Sequence, residues 1–154
     1  MDANVARRAQ DMYRANQIQT ATREQLLLLT YDIGIKACNG AIDAMERAQI
    51  ERANEELKRA QAVVRELMVT LNMEQGGDVA KALLSLYDFF YNRLVEANVK
   101  KDPSIVREVL AMLEELRRTW VEAMEKIREE QTPKQPEHVA TPSGSGLGGV
   151  NIAG

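Results

Sequence analysis

From Val79 to Asn98 the chain repeats apolar residues at three- and four-residue steps, and it does so on two adjacent lines at once. Val79, Leu83, Leu86, Phe90, Leu94 and Ala97 make the first line; Ala80, Leu84, Tyr87, Tyr91 and Asn98 make the second. That period is the period of an α-helix, so the stretch is predicted to be helical. Two lines side by side give an apolar surface wider than one neighbouring helix covers. Something besides a neighbouring helix is expected to sit on it. Gly76 and Gly77 precede the helix, and Asp78 is placed to cap its first turn.

Three further stretches repeat the pattern. Thr22 and Gln25 have capping-box spacing and open a helix with Leu28, Tyr31, Ile35, Cys38, Ile42 and Met45 on one stripe and Leu26, Leu29 and Ile33 beside it. Gly34 and Gly40 each cost that helix about 1 kcal/mol against alanine, which points to a neighbouring backbone passing close. After Met45 the apolar phase slips by one position, predicting a tight turn at Arg47 to Gln49; one helix bending through the slip is the competing arrangement. The next stripe is Ile50, Ala53, Leu57, Ala60, Val64, Leu67 and Leu71. Beyond the Val79–Asn98 helix, Asp102 as cap and Pro103 as first helical residue start the last one. It carries Ile105, Val109, Met112, Leu116, Trp120, Ala123 and Ile127, with Val106, Leu110, Leu113 and Met124 alongside.

Four long amphipathic helices on short connections predict an all-α fold, an antiparallel four-helix bundle over residues 22–130, with helices at 22–47, 50–73, 78–99 and 102–129. Residues 1–21 are expected to form a short additional N-terminal helix or arm, with Val5, Ala9 and Met12 on one side. The segment 131–154 holds three of the four prolines and five of the nine glycines, without an aromatic residue or an apolar stripe. It cannot offset its own ordering entropy and is expected to be a disordered C-terminal tail.

Composition narrows the function. With 20 basic and 23 acidic residues and a net charge of −3 the chain has no field to attract nucleic acid. No apolar run approaches the ~20 residues of a membrane span, so no membrane insertion is expected. The N-terminal residues lack the apolar segment of a secretory signal, and the single Cys38 cannot form an intrachain disulfide; both suit the cytoplasm. Cys38 lies on a stripe and is expected to be a core residue. His138, the one histidine, falls in the tail, and acid pairs such as Glu55-Glu56 and Glu114-Glu115 have no Glu-x-x-His partner within the helices. The expectation is a protein with no catalytic residues, metal or cofactor, and not an enzyme.

Two long strings, YRANQIQTATREQLLLLTYD and ELMVTLNMEQGGDVAKALLSLYDFFYNRLVEANVKKDPSIVREVLAMLEELRRTWVEAM, resemble the flagellar export chaperone FliS family. The resemblance covers most of residues 13–124 and rests on separated pieces agreeing in order. They are Tyr13, Ile18 and Thr20-Ala21; Asn54-Glu55; Glu66-Leu67; Gly76-Gly77; Leu86-Tyr87-Asp88; Ala97-Asn98; Glu108-Val109; and Glu115-Leu116-Arg117 with Trp120. At Tyr31-Asp32-Ile33-Gly34 the small residue stands one step later than in the family's usual Tyr-Asp-Gly-Ala. The resemblance implies a chaperone that binds the disordered C-terminal segment of flagellin, prevents its premature polymerisation and delivers it to the type III export apparatus, with an export-gate component as a second partner.

The stripes place a receptor groove with Asn54, Gln61, Val64 and Met68 opposite Ala80, Leu84, Tyr87 and Tyr91. Asn54 and Asn98 are the recognition candidates, since amides beside apolar lines need partners. The resemblance also implies that the arm carrying Tyr13, Ile18 and Thr20 covers this site or joins it; a displaceable cap is the expectation, and an arm that docks and never moves is the alternative. The alternative function is a self-associating structural bundle, an adaptor that binds no flagellin.

Overall fold

The computed structural model describes the backbone of residues 3–20 and 22–132 and the side chains of residues 3–13 and 22–132. Five helices follow one another: α1 (Ala3–Thr20), α2 (Arg23–Glu46), α3 (Ile50–Val69), α4 (Met73–Lys100) and α5 (Pro103–Gln131). Residues 1–121 form one compact unit and residues 122–154 a second, which opens inside α5. Of the second unit the described part is the end of α5 and Thr132; Gln131, expected to begin the tail, is helical. The rest of the expected tail, with His138, lies outside the described residues.

Helices α2 to α5 make the antiparallel bundle. Their directions are fixed by cross-contacts at both ends: Glu46 with Arg107 and Asp32 with Arg117 join α2 to α5, while Asn54 with Asn98 and Arg65 with Tyr91 join α3 to α4. The core is built from Tyr31, Cys38 and Ala41 of α2, Leu57, Val64 and Leu67 of α3, Phe90, Leu94 and Ala97 of α4, and Val106, Val109 and Leu113 of α5. Each large aliphatic or aromatic side chain fully buried there contributes about 1.5–3 kcal/mol against the entropy of ordering the chain. Burial lifts the Cys38 thiol to about 12, helped by the charge of Glu114, so the cysteine is an inert packing residue.

Local chemistry sets the helix ends. Thr22 and Gln25 make the reciprocal capping box, Gln25 N–H to Thr22 Oγ1 at 3.2 Å and Thr22 N–H to Gln25 Oε1 at 3.0 Å. The chain turns after Glu46, where the phase slips, with Ala48 at φ 57°. Asp102 accepts both the hydroxyl and the N–H of Ser104 at the start of α5, and these bonds hold its carboxyl below the ordinary range. Ahead of α4 the structure departs from expectation. Asn72, not Asp78, is the cap, accepting the Gln75 N–H at 3.0 Å. One helical turn follows, and Gly77 breaks it at φ 52°, ψ −128°, a backbone that a residue with a Cβ adopts only under strain. The main run of α4 starts beyond that break, and α3 ends at Val69, earlier than the stripe suggested.

The buried side of α2 is rotated from the predicted stripe. Gly34, Ala37, Ala41 and Ala44 point inward with Tyr31 and Cys38, while Ile35, Ile42 and Met45 are half-buried and Ile33 is 50% exposed. Small residues let α2 approach its neighbours closely. A Cβ on Gly34 would stand 2.9 Å from Val63 Cγ1 and 3.8 Å from Leu113 Cδ1, whereas one on Gly40 would meet the long side chain of Glu56, which is held by Arg59 but can swing aside at its rotatable bonds. Val63 is β-branched and cannot yield. Gly34→Ala is therefore expected to lose about 1 kcal/mol net, overpacking outweighing the gain in helix propensity, and Gly40→Ala to gain up to about 1 kcal/mol. Urea midpoints of the two variants check the opposite signs.

A buried polar chain crosses the core. Trp120 Nε1–H donates to the Tyr31 hydroxyl at 3.0 Å, and the Tyr31 and Tyr87 hydroxyls are 2.6 Å apart, joining α5, α2 and α4. Burial is the main cause that pushes both phenols above their usual value, so they remain protonated.

In α1, Val5, Met12 and Tyr13 are 47%, 72% and 70% exposed. The apolar side of this helix, over its described side chains, is not buried.

Candidate functional site

The seam between α3 and α4 is built differently from the other three. Asp43 and Arg52 bridge α2 to α3 at 2.8 Å; Asp32 with Arg117 at 2.6 Å, and Glu46 with Arg107, bridge α2 to α5; Arg93 and Glu108 bridge α4 to α5 at 2.7 Å. Among the described residues no carboxylate–guanidinium pair bridges α3 to α4. Exposed pairs add little stability.

Two amide and aromatic contacts set the register of α3 on α4. Asn98 Nδ2–H donates to Asn54 Oδ1 at 2.8 Å, and Lys101 Nζ bonds the Asn98 carbonyl at 2.8 Å and its side-chain oxygen. Lys101 is the left-handed residue that ends α4, at φ 51°, so this cluster also holds the helix terminus. The two candidate recognition amides are thus bonded to each other. Seven to eleven residues along the seam, Arg65 donates to the Tyr91 hydroxyl at 2.7 Å and lies over its ring, 5.4 Å from the centroid. Cation–π contacts of this kind are worth about 0.5–1 kcal/mol at exposed sites.

Of the eight residues assigned to the groove from the stripes, Asn54, Gln61, Met68, Leu84 and Tyr91 are half-buried along this seam. The other three are core residues: Val64 is fully buried, Ala80 is 3% and Tyr87 1% exposed. The reason is helix rotation. Val64 belongs to the line Ala53, Leu57, Ala60, Leu67 that fills the bundle interior, and Tyr87 is turned inward to its bond with Tyr31. Tyr13 is exposed on α1, and the side chains of Ile18 and Thr20 lie outside the described residues.

Outside the half-buried residues the helical period puts a polar rim that the stripes did not single out. Lys58 and Arg65 follow Asn54 and Gln61 on α3, and Lys81 and Asp88 flank Leu84 on α4; all four are exposed. A sequence signal for them existed, the continued three-four spacing, but no apolar residue marked it. Among the described residues no cluster of His, Cys, Asp and Glu could hold a metal ion, and no helix is long and apolar enough to cross a membrane.

Among the described residues, three seams of the bundle are thus crossed by ion pairs and the fourth by an amide pair and an arginine–tyrosine contact. Residues 5–127 match the family described as flagellar protein FliS, and the chain belongs to that family of flagellar secretion chaperones. It is 34% identical over 119 residues to the flagellar secretion chaperone FliS of Bacillus subtilis, covering 77% of this chain and 88% of that one. With FliSB of Pseudomonas aeruginosa it shares 35% over 104 residues, 68% and 82% of the two chains. A crystal structure described as a flagellar chaperone from bacteria has the same fold, at a TM-score of 0.65 and 19% identity over 79% of this chain and 98% of that one.

Proposed function

We propose that this chain binds the C-terminal segment of flagellin, keeps it from polymerising early, and hands it to the flagellar export apparatus. The observation that supports the reading is the α3–α4 seam, where Met68, Leu84 and Tyr91, beside the amide of Gln61, are half-buried and where no ion pair crosses among the described residues. A segment disordered when free can fold onto such a seam as a helix, burying its own apolar side against these residues. Family membership supports the choice of cargo. The exposed Met12 and Tyr13 of α1 support a second element, an N-terminal arm that competes with cargo for apolar surface.

The test is calorimetric titration with the last ~40 residues of flagellin from the same source, long enough to wrap more than one groove. One-to-one binding with a large negative heat-capacity change is expected, the mark of apolar burial coupled to folding. A chain lacking residues 1–19 is expected to bind the same peptide more tightly. Absence of heat and of any rise in melting temperature with peptide would sink the reading and favour the self-associating bundle.

A further inference from the structure

If the α3–α4 seam is the docking site, as proposed above, the charges on its rim say what a docked segment must carry. Lys58, Arg65 and Lys81 are exposed there, and none has a carboxylate partner among the described residues. Two acids share these lines: Asp88, whose side chain accepts from Asn92, and Glu51, one heptad before Lys58 near the start of α3. At the other three seams a guanidinium meets a carboxylate across the helices. In a chain of net charge −3, three cations against two acids leave one excess positive charge along the seam that no ion pair crosses among the described residues, and Lys58 and Arg65 are complementary to an acidic partner.

We propose that the seam takes a helical segment whose apolar side is flanked by two side-chain carboxylates seven residues apart, one for Lys58 and one for Arg65. Seven residues of α-helix rise about 10.5 Å, so a helix laid along α3 repeats the spacing of these two cations. Arg65 sets the selectivity. Its guanidinium now lies over one face of Tyr91, and an apolar side chain that packs on that face displaces it. A carboxylate on the incoming segment replaces the lost contacts with a charge-assisted pair, for which the planar guanidinium has further donors. A segment without the carboxylate displaces Arg65 at a loss, and binds more weakly.

The full chain, the double variant Lys58→Glu/Arg65→Glu and two peptides test this. One peptide is the native flagellin C-terminal segment; in the other every Asp and Glu is replaced by Asn and Gln. Both substituted positions are exposed; the variant is expected to melt slightly lower for want of the Arg65–Tyr91 contact, and an unchanged helical circular-dichroism spectrum confirms its fold. Binding of the native peptide is expected to weaken at least tenfold in the double variant. The amide peptide is expected to bind the unaltered chain at least tenfold more weakly, and to lose little more on the variant, since the two changes remove the same interaction. Binding of the native peptide that ignores both charge changes overturns this proposal and leaves the docking site standing. No binding of the native peptide to the unaltered chain overturns the docking reading and this proposal together.

Discussion

Phe90→Ala is expected to destabilise the bundle by about 3–5 kcal/mol, while Phe89→Ala, one residue away, costs less than about 1.5 kcal/mol. Phe90 is completely buried in the cluster that joins all four bundle helices, with the Tyr87 and Phe89 rings each 6.3 Å from it. Removing its ring forfeits the transfer free energy and leaves a cavity that close-packed helices fill only in part. Phe89 is 40% exposed, and its truncation opens onto solvent, so no cavity term is added. A domain of this size has only about 5–15 kcal/mol in hand, so Phe90→Ala should shift the urea midpoint by a large fraction of its value with the slope unchanged. Equal shifts for the two variants would mean that α4 is rotated from the orientation described.

The second large effect is an asymmetry between two tyrosines. Tyr31→Phe is expected to cost about 2–3 kcal/mol and Tyr87→Phe about 1 kcal/mol, because losing two buried bonds costs more than losing one. Trp120 N–H has the Tyr31 oxygen as its acceptor, and the contact between the two hydroxyls uses one hydroxyl hydrogen. Without the Tyr87 hydroxyl, the Trp120–Tyr31 bond survives. Without the Tyr31 hydroxyl, both bonds are lost at once, and the indole N–H keeps the Tyr87 oxygen as its nearby acceptor. Neither change opens a cavity beyond a single oxygen, so packing does not blur the comparison. Chemical denaturation of both variants decides it, and the reverse order would show that the chain of bonds does not run through Tyr31.

Helix identity and order were legible in the residues themselves. The three-four apolar period, the Thr22–Gln25 capping box and Asp102-Pro103 are local, and a local signal does not depend on which neighbour a helix meets. Short connections then leave an antiparallel bundle as the economical arrangement. Rotation about each helix axis was not legible. An apolar stripe averaging 3.5 residues per turn drifts about 20° per heptad on a straight helix of 3.6. Along α4 the buried positions therefore pass from Ala80 and Tyr87 on one line to Phe90, Leu94 and Ala97 on the other. On α2 the small residues won the inward side, because the closeness of α3 to Gly34 is a property of two helices together. The site follows the same division. Half-buried Asn54, Gln61, Met68, Leu84 and Tyr91 could be named from periodicity, whereas Val64, Ala80 and Tyr87 belong to the core only once α3 and α4 are rotated against α2 and α5. Whether Lys58 and Arg65 are paired cations or open ones is likewise a matter of which side chains the other helices bring within reach. The chain's local chemistry determined its helices and their caps; the packing of those helices decided which surface was left for a partner, because exposure is set between elements and not within them.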